Sequence, residues 1–98
     1  MKQSIWKFST LVGGNFNGII SIQMPKGSEI LCVQRDEKTN IPCIWALVYP
    51  DNESVKRYFE LFGTGHEIVN DDGINRKYIG TYQYQNGEFV GHLFERIY

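Results

Sequence analysis

The sequence predicts a mainly antiparallel all-β domain, a small barrel or sandwich of about six or seven short strands with at most one short helix, near Asn52 to Tyr58. Three observations point there. Turn-forming residues punctuate the chain at short intervals, the segments between them alternate apolar and polar side chains, and 14% of the 98 residues are aromatic, which fits a core filled largely by rings. At this length the chain forms one domain, residues 1–98, with a single modest core.

The breaks fall at Val12-Gly13-Gly14-Asn15, Pro25-Lys26-Gly27-Ser28, Asp36 to Asn40, Pro50-Asp51-Asn52, Gly63-Thr64-Gly65, Asn70-Asp71-Asp72-Gly73 and Asn86-Gly87, where Gly, Pro, Asn and Asp supply the dihedrals that tight turns need. Ile20, Ile22 and Met24 alternate with Ser21 and Gln23, as in a strand with one buried face. Glu29 to Arg35 is rich in β-formers, and the nearly continuous apolar run Ile44 to Tyr49 belongs at the centre of a sheet. Tyr78 to Gln85 and Phe89 to Ile97 flank Asn86-Gly87, the strongest short hairpin signal, with a type I′ turn expected. Asp51 to Phe62 is ambiguous. Val55, Tyr58, Phe59 and Phe62 have helical spacing, whereas Tyr58, Glu60 and Phe62 against Arg57, Phe59 and Leu61 read as the two faces of a strand from Lys56 to Phe62.

Ten basic and eleven acidic residues leave a formal charge of −1, so no global field draws the chain to nucleic acid or an anionic membrane. Arg76-Lys77 and Lys56-Arg57 lack the interleaved rings of a nucleic-acid platform, and no segment approaches a membrane span. Nucleic acid and membrane are therefore not expected partners, and the cytoplasm is the expected location. Cys32 and Cys43 lie in apolar runs without metal spacing, which makes free, buried thiols the expectation, a disulfide between them the alternative, and no metal or other cofactor expected. Asp71-Asp72-Gly73 lacks the alternating oxygen ligands and distal glutamate of a calcium loop.

The candidate chemistry centres on Gly63-Thr64-Gly65-His66. This stretch is either a strand-ending turn or a backbone nest whose N–H groups, hydroxyl and imidazole converge on an anion. It is neither a P-loop nor a dinucleotide fingerprint. His66 and His92 are the only histidines. His92 shares strand parity with Val90 and Phe94, as a hydrogen-bonded core histidine would, while a His66–His92 acid–base pair is the catalytic alternative. Arg76 or Lys77 offers a counter-charge, and Tyr82, among several rings, offers a stacking surface. The expected ligand-binding set is Gly63, Thr64, Gly65, His66, Arg76, Lys77, Tyr82 and His92, with no catalytic residue.

In order, MPKGSEIL (Met24 to Leu31), PCIWALVYP (Pro42 to Pro50), GTGHEI (Gly63 to Ile68), YIGTYQ (Tyr78 to Gln83) and FVGHLFE (Phe89 to Glu95) resemble an uncharacterised family of small tailed-phage proteins. The resemblance implies a strand rather than a helix before GTGH. It also implies a bulky aromatic before the last histidine, where this chain has Gly91. It further implies a phage accessory protein of counter-defence type, acting in the host bacterial cytoplasm. The first expectation is capture of a small phosphorylated, nucleotide-like signal without catalysis; the second is inhibition of a host protein through an exposed surface or strand edge; a small phosphodiesterase is third. Exposed strand edges and abundant rings also lead us to expect a homodimer or higher oligomer.

Overall fold

The computed structural model describes residues 1–11, 14–16, 18–68, 73–84, 87 and 89–98. Its strands are β1 (Ser4–Ser9), β2 (Gly14–Phe16), β3 (Ile19–Pro25), β4 (Glu29–Arg35), β5 (Pro42–Val48), β6 (Ser54–Gly63), β7 (Asn75–Tyr84) and β8 (Phe89–Ile97). Seven of these are full-length and antiparallel. They form a sheet of three, ordered β1-β5-β4, and a sheet of four, ordered β3-β6-β8-β7, which the three-residue β2 extends at its β3 edge. The all-β, sandwich-like expectation holds, and the apolar run of β5 occupies the centre of the smaller sheet.

The two inner faces supply one core. Val33 and Ile44 of the smaller sheet meet Ile20, Ile22, Met24, Phe59, Tyr82 and Leu93 of the larger. The alternation read from Ile20 to Met24 is the inward face of β3, and Ile44, Ala46 and Val48 are the inward face of β5. Side by side, β4 and β7 close one flank of the sandwich. There Gly80 comes so near β4 that a methyl group on it would sit 3.1 Å from Val33 Cγ1. Each of these two strands carries a register shift, between Ile30 and Cys32 in β4 and between Tyr78 and Gly80 in β7, which bends the strand at this seam.

The short helix near Asn52 to Tyr58 does not form; among the described residues there is no helix. A turn closed by Asn52 N–H to the Tyr49 carbonyl (3.0 Å) leads directly into β6. Helical spacing arose because this strand carries rings on both faces. Phe59 is fully buried against the core, whereas Tyr58 and Phe62 lie on the opposite, outer face. Gly87 has φ +86°, the sign a type I′ hairpin turn needs at its second central residue; Asn86, like Asp71 and Asp72, lies outside the described residues. Cys32 is half-buried and Cys43 buried, both as free thiols, and burial pushes the Cys43 thiol up from its ordinary value.

At the β4–β5 hairpin, Asp36 accepts from the Lys7 ammonium and, through Oδ1, from the Lys38 N–H (2.8 Å). These bonds hold its carboxyl below the ordinary carboxylate value, the Lys7 hydrogen bond contributing most. A lowered folded value means that the stabilisation is present above the unfolded value and is lost as pH falls through the folded one. Replacing Lys7 with alanine should therefore move the Asp36 titration upward, as followed by carboxyl-carbon NMR; an unchanged midpoint would contradict the pairing.

Candidate functional site

Alternation along β6, β8 and β7 sends one set of side chains to the outer face of the larger sheet. The register places Tyr58 beside Arg96, Glu60 beside Phe94 and Phe62 beside His92. On the other flank of β8, Arg76 faces Arg96 and Tyr78 faces Phe94. The bulge at Ile79 then changes the parity of β7. Thr81, which simple alternation from Tyr78 assigns to the opposite face, is thereby paired with His92 on the outer side.

The result is a connected chain of hydroxyls and imidazole. Tyr78 Oη lies 2.5 Å from Thr81 Oγ1, Thr81 Oγ1 lies 2.9 Å from His92 Nδ1, and His92 Nε2 lies 2.8 Å from Thr64 Oγ1. With a neutral imidazole the chain has two consistent polarities: one leaves the Thr64 hydroxyl proton to donate outward, the other leaves that of Tyr78. In both, His92 is held at each nitrogen.

Rings surround this chain. Phe94 makes edge contacts with Phe62 (centroids 5.8 Å apart) and with Tyr78 (5.5 Å). The Arg76 guanidinium sits 5.9 Å from the Phe62 ring centre. Glu60 Oε1 accepts from both Arg76 Nε and Arg96 Nη1, each at 2.8 Å. Tyr78 is 54% exposed, so its ring remains available on the surface.

The GTGH stretch is a tight turn at the end of β6. Gly65 takes φ +85°, and the His66 N–H donates to the Gly63 carbonyl at 3.1 Å; this fits a type II turn, in which glycine is favoured at the third position. The Gly63 N–H donates to His66 Nδ1 at 3.2 Å. Two of the four backbone N–H groups expected to form a nest are thus engaged within the turn. Thr64 alone of the four reaches the outer face, through His92.

His66 lies on the other side of the sheet. A methyl group added at Gly63 would meet its ring at 2.7 Å, and one added at Gly91, the register partner of Gly63, would meet the Tyr82 ring at 2.4 Å. The two rings therefore lie over a pair of glycines on the inner face. They help to line a cleft of about 300 Å³ at one end of the sandwich, with Thr10, Leu11, Pro42 and Leu61 among its other walls.

The expected ligand-binding residues consequently divide. Thr64, His92 and Arg76 share the outer face, with Arg76 tied to Glu60 rather than to the turn. Gly63, His66 and Tyr82 belong to the inner cleft, and Gly65 serves the turn between them. Lys77 is exposed and pairs in register with Glu95 on the inner-facing parity, apart from both groups. Tyr82, expected as a stacking surface, is only 6% exposed because its ring fills the space above Gly91. The sheet stands between His66 and His92, so the two do not converge on one substrate. Tyr78 and Thr81 were missed as site residues; the signal was Gly80, since an isolated glycine inside a strand often marks a bulge.

Among the described residues, no group of three or more His, Cys, Asp or Glu side chains could hold a metal ion. Comparison with curated proteins and with solved structures returned no match. The family described as a domain of unknown function, DUF7352, matches residues 1–98. With its full length covered by that match, the chain belongs to the DUF7352 family.

Proposed function

We propose that this chain is a non-catalytic binding module that captures a small phosphorylated, nucleotide-like ligand on the outer face of β6, β8 and β7. The observation that carries the proposal is the Tyr78–Thr81–His92–Thr64 chain, set on a sheet face beside exposed aromatic surface. A phosphate oxygen accepts from the terminal hydroxyl of such a chain, and a base stacks on Tyr78. Both nitrogens of His92 are engaged by threonine hydroxyls, which favours fixed recognition over proton transfer to a substrate. The resemblance to small tailed-phage proteins supports reading the module as an accessory that withdraws a signalling nucleotide in a host bacterial cell.

Inhibition of a host protein is the second reading. It is favoured by the outer face of the smaller sheet, where Ile5 is 59% exposed and Trp45 and Leu47 are only partly covered.

A panel of cyclic and linear nucleotides tests the first reading by thermal shift, followed by release of bound ligand on heating. At least one nucleotide should raise the melting temperature and be recovered intact. Thr81→Val, which keeps shape and breaks the chain that orients the terminal hydroxyl, should weaken its binding about tenfold, the value of roughly 1.4 kcal/mol for a lost hydrogen bond. Absence of any shift across the panel would overturn the reading.

A further inference from the structure

We infer that the free edge of β1 pairs with β1 of a second copy of this chain, joining two three-stranded sheets into one six-stranded sheet. Strand β1 is terminal in its sheet, and among the described residues no strand pairs with its outer side. It therefore presents a row of unpaired backbone donors and acceptors, which natural edges usually protect with a projecting charge. Here that protection is withdrawn. The one lysine within β1, Lys7, has its ammonium bound to Asp36 and 5.7 Å from the Trp45 ring centre, folded over its own sheet rather than beyond the edge. Its neighbours Ile5 and Trp6 are 59% and 39% exposed.

The surface area supports a second copy as the occupant. A compact monomer of this mass exposes about 5,800 Å², whereas this chain exposes 6587 Å². The excess of 6587 Å² over that expected surface, about 800 Å², matches what one partner buries in a standard-size interface.

Face alternation also selects the register. Paired residues must share a face, so a two-fold axis passes through a residue position. The two registers that pair most of β1 are centred on Trp6 or on Lys7. Centring on Lys7 opposes two ammonium groups. Centring on Trp6 opposes the two indoles and sets Lys7 against the partner's Ile5.

Sedimentation velocity across a concentration series, with circular dichroism as a check on folding, tests the inference. The unmodified chain should sediment at twice its chain mass, and Trp6→Glu, which opposes two carboxylates at the axis, should weaken self-association at least tenfold. Trp6→Cys supplies an independent readout, because directly opposed strand residues lie within disulfide range. Oxidation should yield a covalent dimer whose linked peptides, identified by mass spectrometry, both carry position 6. A monomer at every concentration up to about 100 µM, tight enough to exclude a typical stable dimer, would overturn the inference. So would a dimer that forms no position-6 crosslink.

Discussion

Replacing Arg57 with methionine should destabilise the domain by about 3 kcal/mol, at the lower end of the range for breaking a buried ion pair from one side. The pair is bidentate: Arg57 Nε donates to Glu95 Oε2 at 2.6 Å and Nη2 donates to Oε1 at 2.7 Å, while Nη1 donates to the Ser28 carbonyl. The Glu95 side chain is only 5% exposed, against 22% for Arg57. Removing the guanidinium therefore strands a desolvated carboxylate and a turn carbonyl together, whereas removing both charges leaves only the carbonyl without its donor. Arg57→Met combined with Glu95→Leu should recover most of the loss, since an apolar pair of similar volume is close to neutral at such sites. Urea unfolding of the single and double variants checks this. A double variant no more stable than the single one would show that the pair's charge is not what the site requires.

The second large effect concerns Gly91. An added methyl group would lie 2.4 to 2.7 Å from three atoms of the Tyr82 side chain, two of the ring and the hydroxyl oxygen, and that side chain is buried. Gly91→Ala should cost about 2 kcal/mol, within the usual range for overpacking a filled core. Gly63→Ala should cost less, below about 1 kcal/mol, because the exposed His66 ring that it meets can swing outward. A single ring occupies the space over Gly91, supplied from the neighbouring strand by Tyr82. Gly91→Phe alone should be strongly destabilising, while Gly91→Phe with Tyr82→Ala should restore much of the stability. Thermal melts of the four-membered cycle measure that coupling; strictly additive losses would contradict it.

Tyr82 and Gly91 also illustrate what can be read from this chain before it folds. Strand existence was legible, because one-face burial imposes a period of two and turn residues interrupt it; β4 runs from Glu29 to Arg35 and β8 from Phe89 to Ile97, as expected. The ambiguity at Asp51 to Phe62 had a physical origin, since rings on both faces of β6 satisfy helical and strand spacing at once. Parity across β7 was not legible. One extra residue at Ile79 reverses which side chains share a face, so Thr81 joined His92 while Tyr82 turned inward. Local turn chemistry gave the geometry of Gly63 to His66, yet which of its groups would face solvent depended on register with β8, a contact 28 residues away between Thr64 and His92.

The proposal that ligand binds at the outer face is tested most directly by histidine-ring NMR. With ring-labelled protein titrated by the nucleotide that gives the largest thermal shift, His92 should move in proportion to occupancy, accompanied by the Thr64 and Thr81 methyl signals, while His66 in the inner cleft stays in place. Ligand-dependent movement of His66 with His92 unchanged would contradict the proposal and assign binding to the inner cleft instead.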